Sequence, residues 1–308
     1  MESVLADFKK GSIRALARAI SMVERRDPAV RELFEGLRDR LDRPPVVGFT
    51  GAPGTGKSTI VDALVTWWRK HDQSVAVLAV DPNSPYSGGA LLGDRIRMQR
   101  HALDERVYIR SMGARGHLGG LSVATRETIR LLGAFGFERV VLETVGVGQS
   151  ELEVAAIADT TVVVLTPGLG DSVQMFKAGI MEIADVYVVN KADLPGAQRT
   201  MQEIRGMLNM GPKLAWKPPI VAMTAVKQQG VEDLVAALDK HREHLRTSGE
   251  GEKLAEQRLR DEAADVVSEW ARDQARELLE RDSGIARKLT EEGLPYAAAD
   301  EILSRLGK

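Results

Sequence analysis

The sequence predicts an α/β fold: a mostly parallel, seven-stranded sheet with helices on both faces and a helical extension at each end. Two observations carry that prediction. Seven short β-branched runs, Val46–Thr50, Val75–Val80, Val107–Ser111, Arg139–Glu143, Thr161–Leu165, Val186–Asn190 and Ile220–Met223, alternate with helix-length segments. Strands that are apolar throughout, rather than at every second position, belong to sheets buried on both faces. The second observation is the stretch Gly51, Ala52, Pro53, Gly54, Thr55, Gly56, Lys57, Ser58, Thr59, set between the first run and the helical pattern Ile60–Trp68. Glycines between a strand and a helix let backbone N–H groups converge on an anion, and the helix N-terminus adds partial positive charge.

Composition sets the outer bounds. A chain of 308 residues, 44% hydrophobic and 28% charged, can bury a sizeable core. Its net charge of −2 argues against a broad basic face for nucleic acid. With no cysteine there are no disulfides or thiolate metal sites, as in a reducing compartment. No apolar run reaches membrane-spanning length and the acidic start is unlike a secretory signal, so a cytoplasmic protein without membrane contact is expected.

Taken in order, residues 2–42 read as helix. Leu16, Ala19, Ile20 and Val23, then Val30, Leu33, Phe34, Leu37 and Leu41, recur at three and four, and Asp27-Pro28 interrupts the run. A helical pair packed on the next domain is expected, with boundaries at 1–43, 44–246 and 247–308. The loop at 51–59 is the P-loop of a nucleoside triphosphatase: Lys57 reaches the outer phosphates and Ser58 can ligate Mg²⁺.

Ligands of such sheets bind beyond the carboxyl ends of the strands, and chemistry-bearing residues follow each run. Asp81 and Asp94 lie thirteen apart in a Gly/Pro/Ser-rich loop and are candidate oxygen ligands for a hard cation. A turn role for Asp81 and a helix N-cap role for Asp94 are the competing readings. In Gly113–Gly120, ahead of a helix from about Ser122, His117 reads as a solvated loop residue. Glu143 ends a buried strand three before Gly146, the usual spacing of the metal-linked acid and the glycine that senses the γ-phosphate. Gln149 is placed either to orient a water or to cap a helix.

Asn190, Lys191 and Asp193 address the base. Guanine presents adjacent N1–H and N2 donors that one carboxylate accepts together, whereas adenine would leave that carboxylate unsatisfied. Thr224, Ala225 and Val226 follow the seventh run, where a backbone N–H can meet the guanine carbonyl. GTP/GDP, rather than ATP, is the expected ligand. Further on, Thr247–Lys253 reads as a linker by composition, Leu254–Leu279 as a long helix, and a last helix ends near Leu306. His241 and His244, three apart without a third acidic ligand, read as surface residues.

Gly51–Thr59, Asp81-Pro82, Leu92-Gly93-Asp94, Glu143–Glu151 and Asn190–Asp193 together closely resemble the MeaB/MMAA family of GTPases, also known as ArgK-like. The likeness runs from Ala17–Ile20 to the terminal helices, and Glu143, where small GTPases carry Asp, is its most specific mark. The resemblance implies a GTPase acting with an adenosylcobalamin-dependent acyl-CoA mutase of the methylmalonyl-CoA type, and its metal-linked acids match Asp81, Asp94 and Glu143. The family's loop that answers to the mutase matches Asp171, Gln174 and Lys177. Those three lie three apart and share one face of a helix start, with Lys177 in reach of charge developing in phosphoryl transfer. Ser172-Val173 and Met175-Phe176 depart from the Glu-Leu and Gly-Ile of many members. An exposed apolar helix stripe needs a partner, so the C-terminal arm either folds back as core or pairs with another subunit, and a homodimer is expected. Two alternatives stay open. A nickel-insertion GTPase shares the fold but usually carries Cys/His metal stations; a small-molecule kinase would need an acceptor pocket.

Overall fold

In the computed structural model, residues 2–81, 99–113, 120–144, 150–168, 180–210, 215–293 and 295–306 are described. Asp94, Gly146, Gln149, His117, Asp171, Gln174 and Lys177 lie outside them.

Seven parallel strands form one sheet in the order β3-β2-β4-β1-β5-β6-β7. They are β1 (Val46–Thr50), β2 (Val75–Asp81), β3 (Val107–Gly113), β4 (Arg139–Thr144), β5 (Thr160–Leu165), β6 (Val186–Val189) and β7 (Ile220–Ala222). Each lies within two residues of its predicted run, and all six pairings are parallel. β1, every residue of which is buried, sits at the centre between β4 and β5.

Side chains alternate across the sheet with period two and divide the core into two faces. Val46, Ala76, Leu78, Val80, Val140 and Leu142 join one cluster with the N-terminal helices α1 (Glu2–Lys9), α2 (Ile13–Glu24) and α3 (Val30–Gly36), and with α5 (Gly120–Phe135) and α6 (Ser150–Ile157). Val47, Phe49, Val75, Val77 and Val141 face the other way, onto α4 (Lys57–Lys70) and α8 (Val231–Ser248). On β5 and β6, Val163, Leu165, Tyr187 and Val189 meet Ala197, Met201 and Ile204 of α7 (Ala197–Met210). Aliphatic side chains buried to this degree contribute about 1.5–3 kcal/mol each.

The N-terminal extension is three helices, not the expected pair. Ser12 starts α2 as its N-cap, accepting from the Ala15 N–H at 3.3 Å, and so breaks the run ahead of the predicted interruption. The helices share the sheet's own core: Phe8 packs edge-on against Phe135 at 5.3 Å.

The chain forms two compact units, Met1–Ala255 and Glu256–Lys308. The expected linker Thr247–Lys253 is instead helical on either side of Gly249 (φ +74°), which closes α8 before α9 (Glu250–Arg281) begins. Small and charged residues look like a linker in composition, but one left-handed glycine suffices to turn between helices. In the second unit, Ile285 of α10 (Ser283–Glu292) and Ala298 and Ile302 of α11 (Pro295–Leu306) form a small core, packed by Leu278 and Leu279 of α9. Among the described residues, no helix is long and apolar enough to cross a membrane.

Candidate nucleotide site

Parallel strands bring the ends of β1, β4, β6 and β7 to one edge of the sheet, and most of the sequence-predicted residues stand there. The loop after β1 is built to approach its neighbours closely. Gly51 has φ +140°, and a Cβ on it would come within 2.3 Å of the Val164 carbonyl oxygen of β5. Gly56, at φ +90°, is the cap residue of α4, and a Cβ there would strike the Asn190 amide at 2.4 Å. Any other residue at these two positions forces backbone or a buried side chain to move.

Lys57 and Ser58 open α4, and both are buried. The Lys57 ammonium donates to the carbonyls of Gly51 at 2.6 Å and Ala52 at 3.3 Å, folding back over the loop it serves. The Ser58 hydroxyl donates to Glu143 Oε1 at 2.5 Å. That contact follows from topology: Phe49 at the end of β1 is in register with Glu143 on β4, and Ala79 of β2 is in register with Glu143 from the other side. Asp81 ends β2 at the same edge, two residues further on. Glu143 is 2% exposed, so its carboxyl group is a buried polar group that needs partners, and the Ser58 hydroxyl is one. Among the described residues no group of three or more His, Cys, Asp or Glu is placed to hold a metal ion. Ser58 and Glu143 bring two oxygen donors together at that edge, part of a donor set that suits a hard cation such as Mg²⁺.

At the end of β6, Asn190 is 3% exposed and has both its polar atoms engaged. Its Nδ2 donates to the Thr55 carbonyl at 2.8 Å, and its Oδ1 accepts from the Ala225 N–H at 3.2 Å. One side chain thus ties the phosphate loop to the turn after β7. Lys191, at φ +55°, donates from Nζ to the Gly54 carbonyl at 2.9 Å. Asp193 stands out in solvent, where its Oδ2 accepts from Lys227 Nζ at 2.9 Å. That hydrogen bond holds the Asp193 carboxyl below the usual carboxylate range. Thr224 precedes a short helical turn, Ala225–Lys227, in which Ala225 is buried and Val226 is exposed.

Lys227 was not legible as a site residue, because its partner lies 34 positions away. The histidine expectation is corrected as well. His241 is 3% exposed, with Nδ1 2.9 Å from the Thr160 hydroxyl and Nε2 3.4 Å from Asp185. Burial, then the neighbouring His244, pushes its pKa down to about 4, so at neutral pH it is a neutral hydrogen-bonding residue of the core.

A parallel sheet with a glycine loop entering α4, a lysine and serine at the helix start and an Asn-Lys-x-Asp set two strands away defines a P-loop GTPase. The family model described as Methylmalonyl Co-A mutase-associated GTPase MeaB matches residues 16–280, and the chain belongs to that family. It is 42% identical over 313 residues to a Pyrococcus abyssi protein named as a GTPase, covering 99% of this chain and 97% of that one. It is 35% identical over 291 residues to GTPase ArgK of Escherichia coli, covering 90% and 85%. The crystal structure of an LAO/AO transport system kinase superposes with a TM-score of 0.73 over 100% of this chain and 97% of that one; at 24% identity this likeness shows the fold alone.

Proposed function

We propose that this GTPase serves an adenosylcobalamin-dependent acyl-CoA mutase of the methylmalonyl-CoA type, gating the loading of its cofactor or protecting it. The family match over residues 16–280 carries this reading. GTP binding is a property of the family; the assignment of residues to it is our reading of the geometry. The backbone N–H groups of Gly51, Gly54, Thr55, Gly56 and Thr59 receive the phosphates, Pro53, which has no N–H, shapes the loop between them, and Lys57 leaves the Gly51 and Ala52 carbonyls for the phosphate charge. Ser58 and Glu143, with Asp81 and Asp94, would hold Mg²⁺, which supplies charge neutralisation across the outer phosphates when bound. Asn190 aligns the phosphate loop with the turn Thr224–Val226, Lys191 braces that loop at Gly54, and Asp193 accepts the two guanine donors.

Hydrolysis is positioning and electrostatics, and an isolated site without its full set of cations is slow. The mutase completes the set by pressing the 171–177 loop toward the γ-phosphate, bringing Lys177 to the developing charge. A homodimer through α9 is part of the proposal. Leu259, Val266, Val267 and Trp270 are each about half exposed or more on that helix, which has no buried residue.

The test is GTP hydrolysis with and without a purified mutase of this class, for the wild type and Lys177→Ala. Stimulation of the wild type, reduced about a hundredfold to a thousandfold in the variant, is expected. A wild type indifferent to every such mutase overturns the partnership.

A further inference from the structure

Asp193 and Lys227 face each other across the base side of the site, and the backbone under both is locked. Ala192 N–H donates to the Met223 carbonyl at 3.0 Å and Leu194 N–H to the Lys191 carbonyl at 2.9 Å, which fixes the loop carrying Asp193. On the other side, Lys227 N–H donates to Thr224 O at 2.9 Å and Gln228 N–H to Ala225 O at 3.0 Å. Thr224 N–H in turn donates to Gln229 O at 3.0 Å, and Ala225 N–H is held by Asn190. Both ends of the 2.9 Å ion pair are therefore mounted on hydrogen-bonded turns.

From this geometry we infer that Lys227 is a positioning residue for base specificity: it orients the Asp193 carboxylate before the nucleotide arrives. The inference rests on the reading of Asp193 as the guanine acceptor. A carboxylate offers about four acceptor sites on two oxygens, so one ammonium on Oδ2 leaves room for both guanine donors. Without the lysine, a side chain 40% exposed samples several rotamers and loses that freedom when a base binds. With it, the carboxylate already stands in one orientation, and pre-organisation of this kind strengthens binding without adding a contact to the ligand. A two-point contact gains more from a fixed carboxylate than a one-point contact does. Lys227 therefore favours guanine over hypoxanthine, which lacks the 2-amino group.

The experiment compares equilibrium binding of GDP and inosine diphosphate to the full-length wild type, Lys227→Met and Lys227→Arg. In low chloride, Lys227→Met weakens GDP binding about threefold to fivefold, on the scale of an exposed ion pair, and inosine diphosphate less than about twofold. Lys227→Arg restores the preference. At high chloride the wild type approaches Lys227→Met, because an exposed pair is screened. Unchanged GDP affinity in Lys227→Met overturns the inference. Tighter GDP binding overturns it too, since the lysine would then compete with the base. Equal losses for both nucleotides would mean that Lys227 only supports the turn. Asp193→Asn is measured in parallel: if it keeps the wild-type preference for GDP over xanthosine diphosphate, the base reading fails whatever Lys227 does. If it loses that preference while Lys227→Met is silent, only the role of Lys227 falls.

Discussion

Replacing Asn190 by alanine tests whether one buried amide couples the phosphate side of the site to the base side. The substitution removes two hydrogen bonds, to the Thr55 carbonyl at 2.8 Å and from the Ala225 N–H at 3.2 Å. Both are buried, and a buried polar group left without its partner costs about 1–3 kcal/mol. Water entering the vacated space recovers part of this, so the net loss is roughly 2–3 kcal/mol of stability. For a domain of this size that is a fall in Tm of about 4–12 °C. Binding should suffer separately. Without Asn190 the P-loop and the Ala225–Lys227 turn are no longer held to each other, and nucleotide must order both. A loss equivalent to one hydrogen bond, ~1.4 kcal/mol, weakens GDP binding about tenfold. The assays are thermal unfolding of the nucleotide-free protein and GDP titration of the same preparation. A lowered Tm with unchanged GDP affinity would refute the coupling, and no change in either would refute the structural account of Asn190.

Other residues give sharper single readouts. Lys57→Ala and Ser58→Ala should each lower GTP turnover by about a hundredfold to a thousandfold while circular dichroism still reports a folded chain, because both side chains bond loop and Glu143 atoms rather than the apolar core. His241 gives a pH dependence: the folded protein resists protonation down to about pH 4, whereas an ordinary histidine takes its proton near 6.5. Its contribution is therefore complete above about pH 6.5 and is lost as pH falls toward about 4, amounting to ~2 kcal/mol between pH 7.5 and 5. Urea unfolding across that range should show a steeper slope for the wild type than for His241→Gln; parallel slopes would contradict the assignment. In the arm, Val267→Glu with Trp270→Glu should convert a sedimenting dimer of 33.6 kDa chains to a monomer that still binds GTP. A wild type that is monomeric at micromolar concentration would remove the premise.

Much of this molecule was legible in its sequence because the signals are local. Continuous apolar runs such as Val75–Val80 and Thr161–Leu165 are strands because a two-sided parallel sheet leaves no polar face, and the observed strands follow them closely. The glycine loop after β1 and the residues just beyond β6 and β7 could be placed at one edge for the same reason. What was not legible depends on distant pairs. Asn190 meets Thr55 across 135 positions and Lys227 meets Asp193 across 34, so neither link has a spacing to read. His241 looked like a surface residue on its own helix, and it is buried where Thr160 and Asp185 arrive from other elements, the Thr160 hydroxyl hydrogen-bonding its Nδ1. Ser12 and Gly249 are a different case. Each ends or starts a helix by one residue's geometry, too small a signal to separate from a continuing helix or a flexible linker.

The central claim is that this site reads guanine through Asp193, and exchanging the base tests it most directly. The measurement is kcat/KM for GTP, ATP and xanthosine triphosphate hydrolysis, in the wild type and in Asp193→Asn. Xanthine carries a carbonyl where guanine has its 2-amino group, so an amide in place of the carboxylate meets it with a donor. The wild type should prefer GTP over both others, and Asp193→Asn should lose about tenfold to several hundredfold for GTP while gaining for xanthosine triphosphate. A wild type that hydrolyses GTP and ATP alike, or an Asp193→Asn variant that keeps the wild-type order, would contradict it.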